Sequence, residues 1–156
     1  MEPMSDPSAD VALPAPPPPV PPAPPSAGEL DQFFTAMFWI GWVGVAGGLG
    51  AIWYSSRTLG FATWWLGPEA QPRFILVSLL PFVAPLALAV MALTRRPWLP
   101  YLGILGALIT ALVAVGDIGG PAGYWAAELL IAAGGLAVSV AAFAGMYRAG
   151  AAPEAG

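Results

Sequence analysis

The sequence contains no cysteine, no histidine, no lysine and no asparagine, and each of its five basic residues is arginine. Without imidazole or thiol groups, the chain by itself cannot offer the usual ligands of haem, zinc, copper or an iron–sulfur cluster. It has no thiol nucleophile, no disulfide and no imidazole base. Without lysine it cannot form a Schiff base. No cofactor is therefore expected, and five basic residues are too few for a nucleic-acid surface. Charge of either sign is scarce, at 9% of residues, while 58% are hydrophobic. A soluble domain carries about 25% charged residues, so this chain lacks the polar surface to stay dissolved. Its leaning toward Ala, Gly, Pro, Val, Trp and Arg is what a GC-rich genome encodes and points to a bacterial source.

What the sequence does have is proline, and it is concentrated at one end. Eleven of the nineteen prolines fall in residues 1–28, in runs at 16–19, 21–22 and 24–25. Such a segment favours polyproline II and cannot bury an apolar core, so a disordered tail is expected. Its start is acidic (Glu2, Asp6, Asp10) and carries no arginine, unlike a signal peptide. The tail reads as a solvated spacer in preference to a docking peptide for a polyproline-binding groove.

About 20 apolar residues cross a bilayer core as a helix. Four segments meet or approach that length: 33–54, 74–94, 101–118 and 124–147. Turn signals separate the later ones, Arg95-Arg96-Pro97 before the third and Gly119-Gly120-Pro121 before the fourth, and Pro100 suits the first turn of a helix. The connection at 55–73 is longer, and its apolar stretch 60–66 is too short to span, which places it in the membrane interface. The expected fold is an all-α membrane protein: a four-transmembrane-helix, up-down-up-down bundle at 29–148 behind the Pro-rich tail, with a short C-terminal tail at 149–156.

Aromatic residues gather at the expected helix ends, as at the two water interfaces of a bilayer. Trp53, Tyr54, Trp64, Trp65, Tyr124 and Trp125 fall to one side, and Phe33, Phe34, Trp39, Trp98, Tyr101 and Tyr147 to the other. Arg95, Arg96 and Arg148 share one side against Arg57 and Arg73. The arginine bias therefore puts both termini in the cytoplasm of a plasma (inner) membrane protein.

Helices in lipid pack through small residues and interhelical hydrogen bonds. The first carries Gly41, Gly44, Gly47, Gly48 and Gly50. The third aligns Gly103, Gly106, Thr110, Ala114 and Asp117 on one face, and the fourth aligns Glu128, Ala132, Gly135, Ser139 and Ala142. A second small face on the fourth holds Ala133, Ala137, Ala141 and Gly145, separated from the other by Leu129, Leu136, Val140 and Phe143. These stripes read mainly as packing within the bundle. Pro81 and Pro85, four apart in the second helix, each remove a backbone donor and mark a candidate kink, static in preference to a hinge, with Ser78 on the same face.

One charged constellation stands out. Asp117 ends the third helix, Glu128 lies about a turn into the fourth, and the topology brings Arg57 and Arg73 to the same membrane face. Asp117, at the negative end of a helix dipole, calls for a partner, and Arg57 is the expected one. An arginine–carboxylate clasp over the bundle is the leading reading. A proton or cation site running past Ser139 comes second, and general acid–base catalysis third. Ser78 and Ser139 read as packing hydroxyls, and no enzyme activity is expected. The sequence thus points to a non-catalytic accessory or structural membrane protein, embedded in lipid and packing with itself or a larger membrane complex. The alternative is a small oligomeric transporter or channel component using Glu128 and Asp117.

Overall fold

A computed structural model describes residues 29–120 and 123–150, the last four by their backbone alone. The proline-rich tail, Pro121, the side chains of Tyr147 and Arg148, and the C-terminal residues 151–156 lie outside the described residues. Among those described there are four α-helices and no strand: α1 Gln32–Leu59, α2 Ile75–Ala92, α3 Leu99–Val115 and α4 Tyr124–Gly150. Helices α1, α2 and α4 are each long and apolar enough to cross a membrane. Helix α3 is apolar throughout and 17 residues long. Leucines and valines point outward along all four helices, among them Leu76, Val83, Leu112 and Leu130. An outer surface of this kind belongs to a membrane-embedded protein.

Helix α1 begins where the Asp31 carbonyl accepts from both the amide (2.9 Å) and the hydroxyl (3.0 Å) of Thr35. It ends at Gly60, whose φ of 73° only glycine adopts freely. The helix is therefore longer than the apolar segment 33–54. Residues 55–59 are polar enough to read as loop, yet Thr58 returns its hydroxyl to the carbonyls of Tyr54 and Ser55, and Ser56 is buried. The helix stops at the residue that can turn left-handed, not where hydrophobicity stops. Pro100 lies in the first turn of α3, where its missing N–H has no intrahelical acceptor to lose.

The helices form a ring in which α1 and α3 each lie against both α2 and α4. Phe34, Phe38, Trp42, Val45, Leu49 and Ile52 recur every three or four residues on α1 and all face inward. Opposite them stand the small stripes of α3 and α4, buried along their whole described length. A methyl group at Gly106 would strike Leu88 and come within 3.0 Å of the Trp42 ring, and one at Gly135 would lie 3.2 Å from that ring and from Val45. Trp42 thus fills the bundle axis in space that two glycines vacate. Since lipid is as apolar as leucine, such close contacts, rather than escape from water, hold membrane helices together.

Helix α4 runs antiparallel to α1, with Gly145 over Phe34, Val138 over Gly41 and Ile131 over Gly48. The second small face of α4 does not supply this contact. Ala133 and Ala137 are exposed, and of that stripe only Gly145 is buried. The small residues at the α1–α4 seam come from both helices: Gly41 and Gly48 of α1 receive Val138 and Ile131, while Gly135 and Gly145 of α4 receive Trp42 and Phe34. Pro81 and Pro85 both face the interior, and α2 continues as helix through them. Ser78 is not spent on the carbonyls those prolines leave open in their own helix. Its hydroxyl donates to the carbonyl of Trp65 at 3.3 Å.

Candidate functional site

Among the described residues, five of the eight buried polar side chains, Ser56, Thr63, Ser78, Asp117 and Glu128, gather at one end of the bundle, around a turn in the α1–α2 connection. Gly67, at φ 68°, sends its amide back to the Thr63 carbonyl (2.9 Å), and the Arg73 amide donates to the Leu66 carbonyl (3.1 Å). The tightened turn points Trp65 and Leu66 inward, where both are fully buried. The stretch 60–66 therefore does more than lie flat at an interface, because two of its side chains plug the bundle end. The Trp65 ring meets Trp53 of α1 at 5.9 Å and Phe82 of α2 at 6.0 Å, both edge-on. The Trp64 indole lies over the end of α3, where a methyl at Gly116 would collide with it.

Both acids of the predicted constellation belong to this assembly. Asp117, two residues past the end of α3, is 7% exposed, and Glu128 is 0% exposed. Neither is met by a guanidinium. The backbone N–H of Trp64 donates to Asp117 Oδ1 at 2.8 Å, and the Trp65 indole N–H donates to Glu128 Oε1 at 3.0 Å. A second indole bond, from Trp64 Nε1 to the Val113 carbonyl at 2.8 Å, holds the turn against α3. The two carboxyl groups lie close to each other. Their remaining oxygens, Asp117 Oδ2 and Glu128 Oε2, are buried with no hydrogen-bond partner.

The arginines are placed differently. Arg57 Nη2 donates to the Leu66 carbonyl at 3.2 Å, so the expected Arg57–Asp117 ion pair does not form. Arg73 is exposed, as is Glu69. The physical reason lies in the turn: with Trp64 and Trp65 carried inward, N–H donors reach the carboxylates first and Arg57 is left to brace the backbone behind them. Ser55 Oγ and Tyr124 Oη, 3.1 Å apart, close the α1–α4 seam beside this site.

The acids are legible in the sequence and their partners are not. Trp64 and Trp65 look like interfacial aromatics, and Thr63, whose buried hydroxyl has no partner, gave no signal at all. The adjacent tryptophans followed by Gly67 were the available clue, because a glycine turn after two large rings can aim them in different directions. Ser139 and Thr110 direct their hydroxyls to the carbonyls of Gly135 (2.7 Å) and Gly106 (2.9 Å) in their own helices. They serve packing, as their positions on the small stripes implied. Among the described residues no group of three or more Asp and Glu side chains is placed to hold a metal ion.

The site therefore combines a desolvated carboxyl pair, two tryptophan donors and a folded connecting turn. No protein-family model matches this chain, and no curated protein or solved structure does either.

Proposed function

We propose that this is a non-catalytic accessory or structural protein of a membrane, which packs with a second copy of itself or with a larger membrane complex. The observation that carries this reading is a groove of about 280 Å³ on the outer surface between α1 and α4, lined by Gly41, Gly44, Val45, Ile131, Gly134 and Val138. Gly44 and Gly134 have open space above them, as do Gly47 and Gly50 along α1. Glycine inside a helix costs about 0.5–1 kcal/mol relative to alanine. At Gly103, Gly106 and Gly135 that cost is offset by contact with another helix of the chain. At Gly44 and Gly134 nothing in the chain offsets it, and a glycine-lined groove is the surface against which membrane helices approach most closely.

In this reading all four helices cross the bilayer, up-down-up-down. Seventeen residues of α3 rise about 26 Å at ~1.5 Å per residue, near the lower limit for a spanning helix. Both termini face the cytoplasm, following the bias of Arg95, Arg96 and Arg148 over Arg57 and Arg73. The transport alternative needs a path along the axis, and that axis is filled by Phe38 and Trp42, both fully buried.

The test is purification of the tagged full-length protein from its native membrane in gentle detergent, with mass spectrometry and sizing of what accompanies it. A stoichiometric membrane partner or a defined oligomer, lost in Gly44→Leu or Gly134→Leu while monomer stability is kept, supports the proposal. A monomer without companions, unaffected by either substitution, overturns it.

A further inference from the structure

We propose that Asp117 and Glu128 form a proton-binding site, in which one proton is held between Asp117 Oδ2 and Glu128 Oε2 and allows the aromatic turn 63–67 to close the end of the bundle. The inference goes beyond the accessory role and does not depend on it.

It rests first on a donor census. Each acid has one oxygen bonded to a tryptophan N–H, Trp64 N to Asp117 Oδ1 and Trp65 Nε1 to Glu128 Oε1. The other oxygen of each is buried with no hydrogen-bond partner. Two ionised carboxylates side by side in a desolvated place repel strongly unless a proton or a cation lies between them. Among the described residues no side chain supplies that cation. On α1, Arg57 is engaged with the Leu66 carbonyl, and Tyr54 is exposed. In the α1–α2 connection, Glu69 and Arg73 face outward. Helix α2 has no ionisable residue, and Tyr101 lies in the first turn of α3, far from Asp117 at its other end. On α4, the Tyr124 hydroxyl lies at Ser55 Oγ. One proton completes the pattern: a carboxyl O–H on one side, a carboxylate acceptor on the other, and both outer oxygens already bonded. A carboxyl pair that retains one proton because like charges cannot both ionise is a recognised arrangement.

The geometry also ties the proton to the turn. The donors that serve the acids come from successive residues, Trp64 and Trp65, and the same turn gives its carbonyls to Ser78 and Arg57. When the proton leaves for water, two negative charges face each other beneath the turn, and the repulsion acts directly on the segment that covers them.

The experiment is infrared spectroscopy on the full-length protein in lipid nanodiscs, in H2O and D2O, with tryptophan quenching by iodide on the same samples. Near neutral pH the wild type is expected to show the carbonyl stretch of a protonated carboxyl, displaced in D2O and absent from both Asp117→Asn and Glu128→Gln. Raising the pH should remove that band and make tryptophan fluorescence more quenchable in step. In Glu128→Gln the amide can donate to Asp117 while still accepting from Trp65, so its quenching should stay low and independent of pH. The absence of a protonated-carboxyl band in the wild type at neutral pH overturns the proposal. Opening that follows sodium or potassium concentration instead of pH, or that is the same in Glu128→Gln, does so too. The wild-type spectrum alone decides the matter if either variant fails to fold.

Discussion

The indole N–H of Trp65 donates to Glu128 Oε1 at 3.0 Å across 63 positions of sequence, and both side chains are completely buried. Trp65 belongs to a connection between helices, and Glu128 is the most deeply buried acid of the described chain. Their bond joins the loop to the last helix and holds an acidic oxygen that has left water. The ring around that N–H packs on Trp53 and Phe82, so donor and packing surface are one side chain. The two contributions can be separated by substitution.

Trp65→Phe keeps most of the ring packing and removes the donor. Hydrogen bonds to a charged acceptor contribute about 1.5–3 kcal/mol, and an orphaned buried acceptor costs a similar amount. The variant should lose about that much stability in detergent unfolding, whereas Trp64→Phe, which keeps the backbone donor to Asp117 and loses only the Val113 bond, should lose about 1 kcal/mol. Equal losses would mean that the indole bond to Glu128 carries no special weight.

Arg57 and Asp117 should behave as independent residues. Arg57 reaches the Leu66 carbonyl and Asp117 the Trp64 amide. A double-mutant cycle of Arg57→Gln with Asp117→Asn should be additive to within about 0.5 kcal/mol. A coupling energy well above that would restore the ion-pair clasp.

Glycines of the axis and of the outer face should respond with opposite signs. Gly106→Ala drives a methyl into Leu88 and the Trp42 ring, and overpacking of this kind costs about 1–3 kcal/mol. Gly47→Ala meets nothing and should leave stability unchanged or raise it by up to about 1 kcal/mol. Thermal unfolding of the two variants in one detergent compares them directly. A stabilised Gly106→Ala would show that Trp42 does not fill the axis as described.

The absence of cysteine makes the topology directly measurable, since a single introduced thiol is the only one in the chain. With four crossings, Ala70→Cys and Gly119→Cys should react with a membrane-impermeant reagent from one side, and Thr94→Cys from the other. If α3 does not cross, Gly119→Cys will label together with Thr94→Cys instead.

How much of this was legible in the sequence differs from element to element. The helices follow from long apolar runs and turn residues, and the buried stripe from Gly103 to Asp117 follows from 3.6-residue periodicity alone. The end of α1 was not legible from hydropathy, because polar residues 55–59 remain helical until Gly60 permits a left-handed exit. The two faces of α4 were indistinguishable in sequence. Both are lined with small residues, and only the position of α1 decided that the stripe from Glu128 to Ala142 is buried while Ala133 and Ala137 face outward. The partner of Asp117 was misjudged because charge complementarity is blind to which donor arrives first. A tryptophan amide in a tight turn came closer than a guanidinium on a long stem.

Composition and periodicity by themselves determined that this chain is helical, belongs in a membrane, has no histidine or cysteine to offer, and hides two acids among small residues. These properties are sums over the residues of one helix, so they can be read along the chain. The tertiary structure alone decided that Trp65 turns inward to Glu128, that Trp42 fills the space of Gly106 and Gly135, and that the α1–α4 glycines line a groove on the outside. Each depends on how separate helices and one connecting turn approach in space, and contacts between residues distant in sequence leave no periodic trace in it.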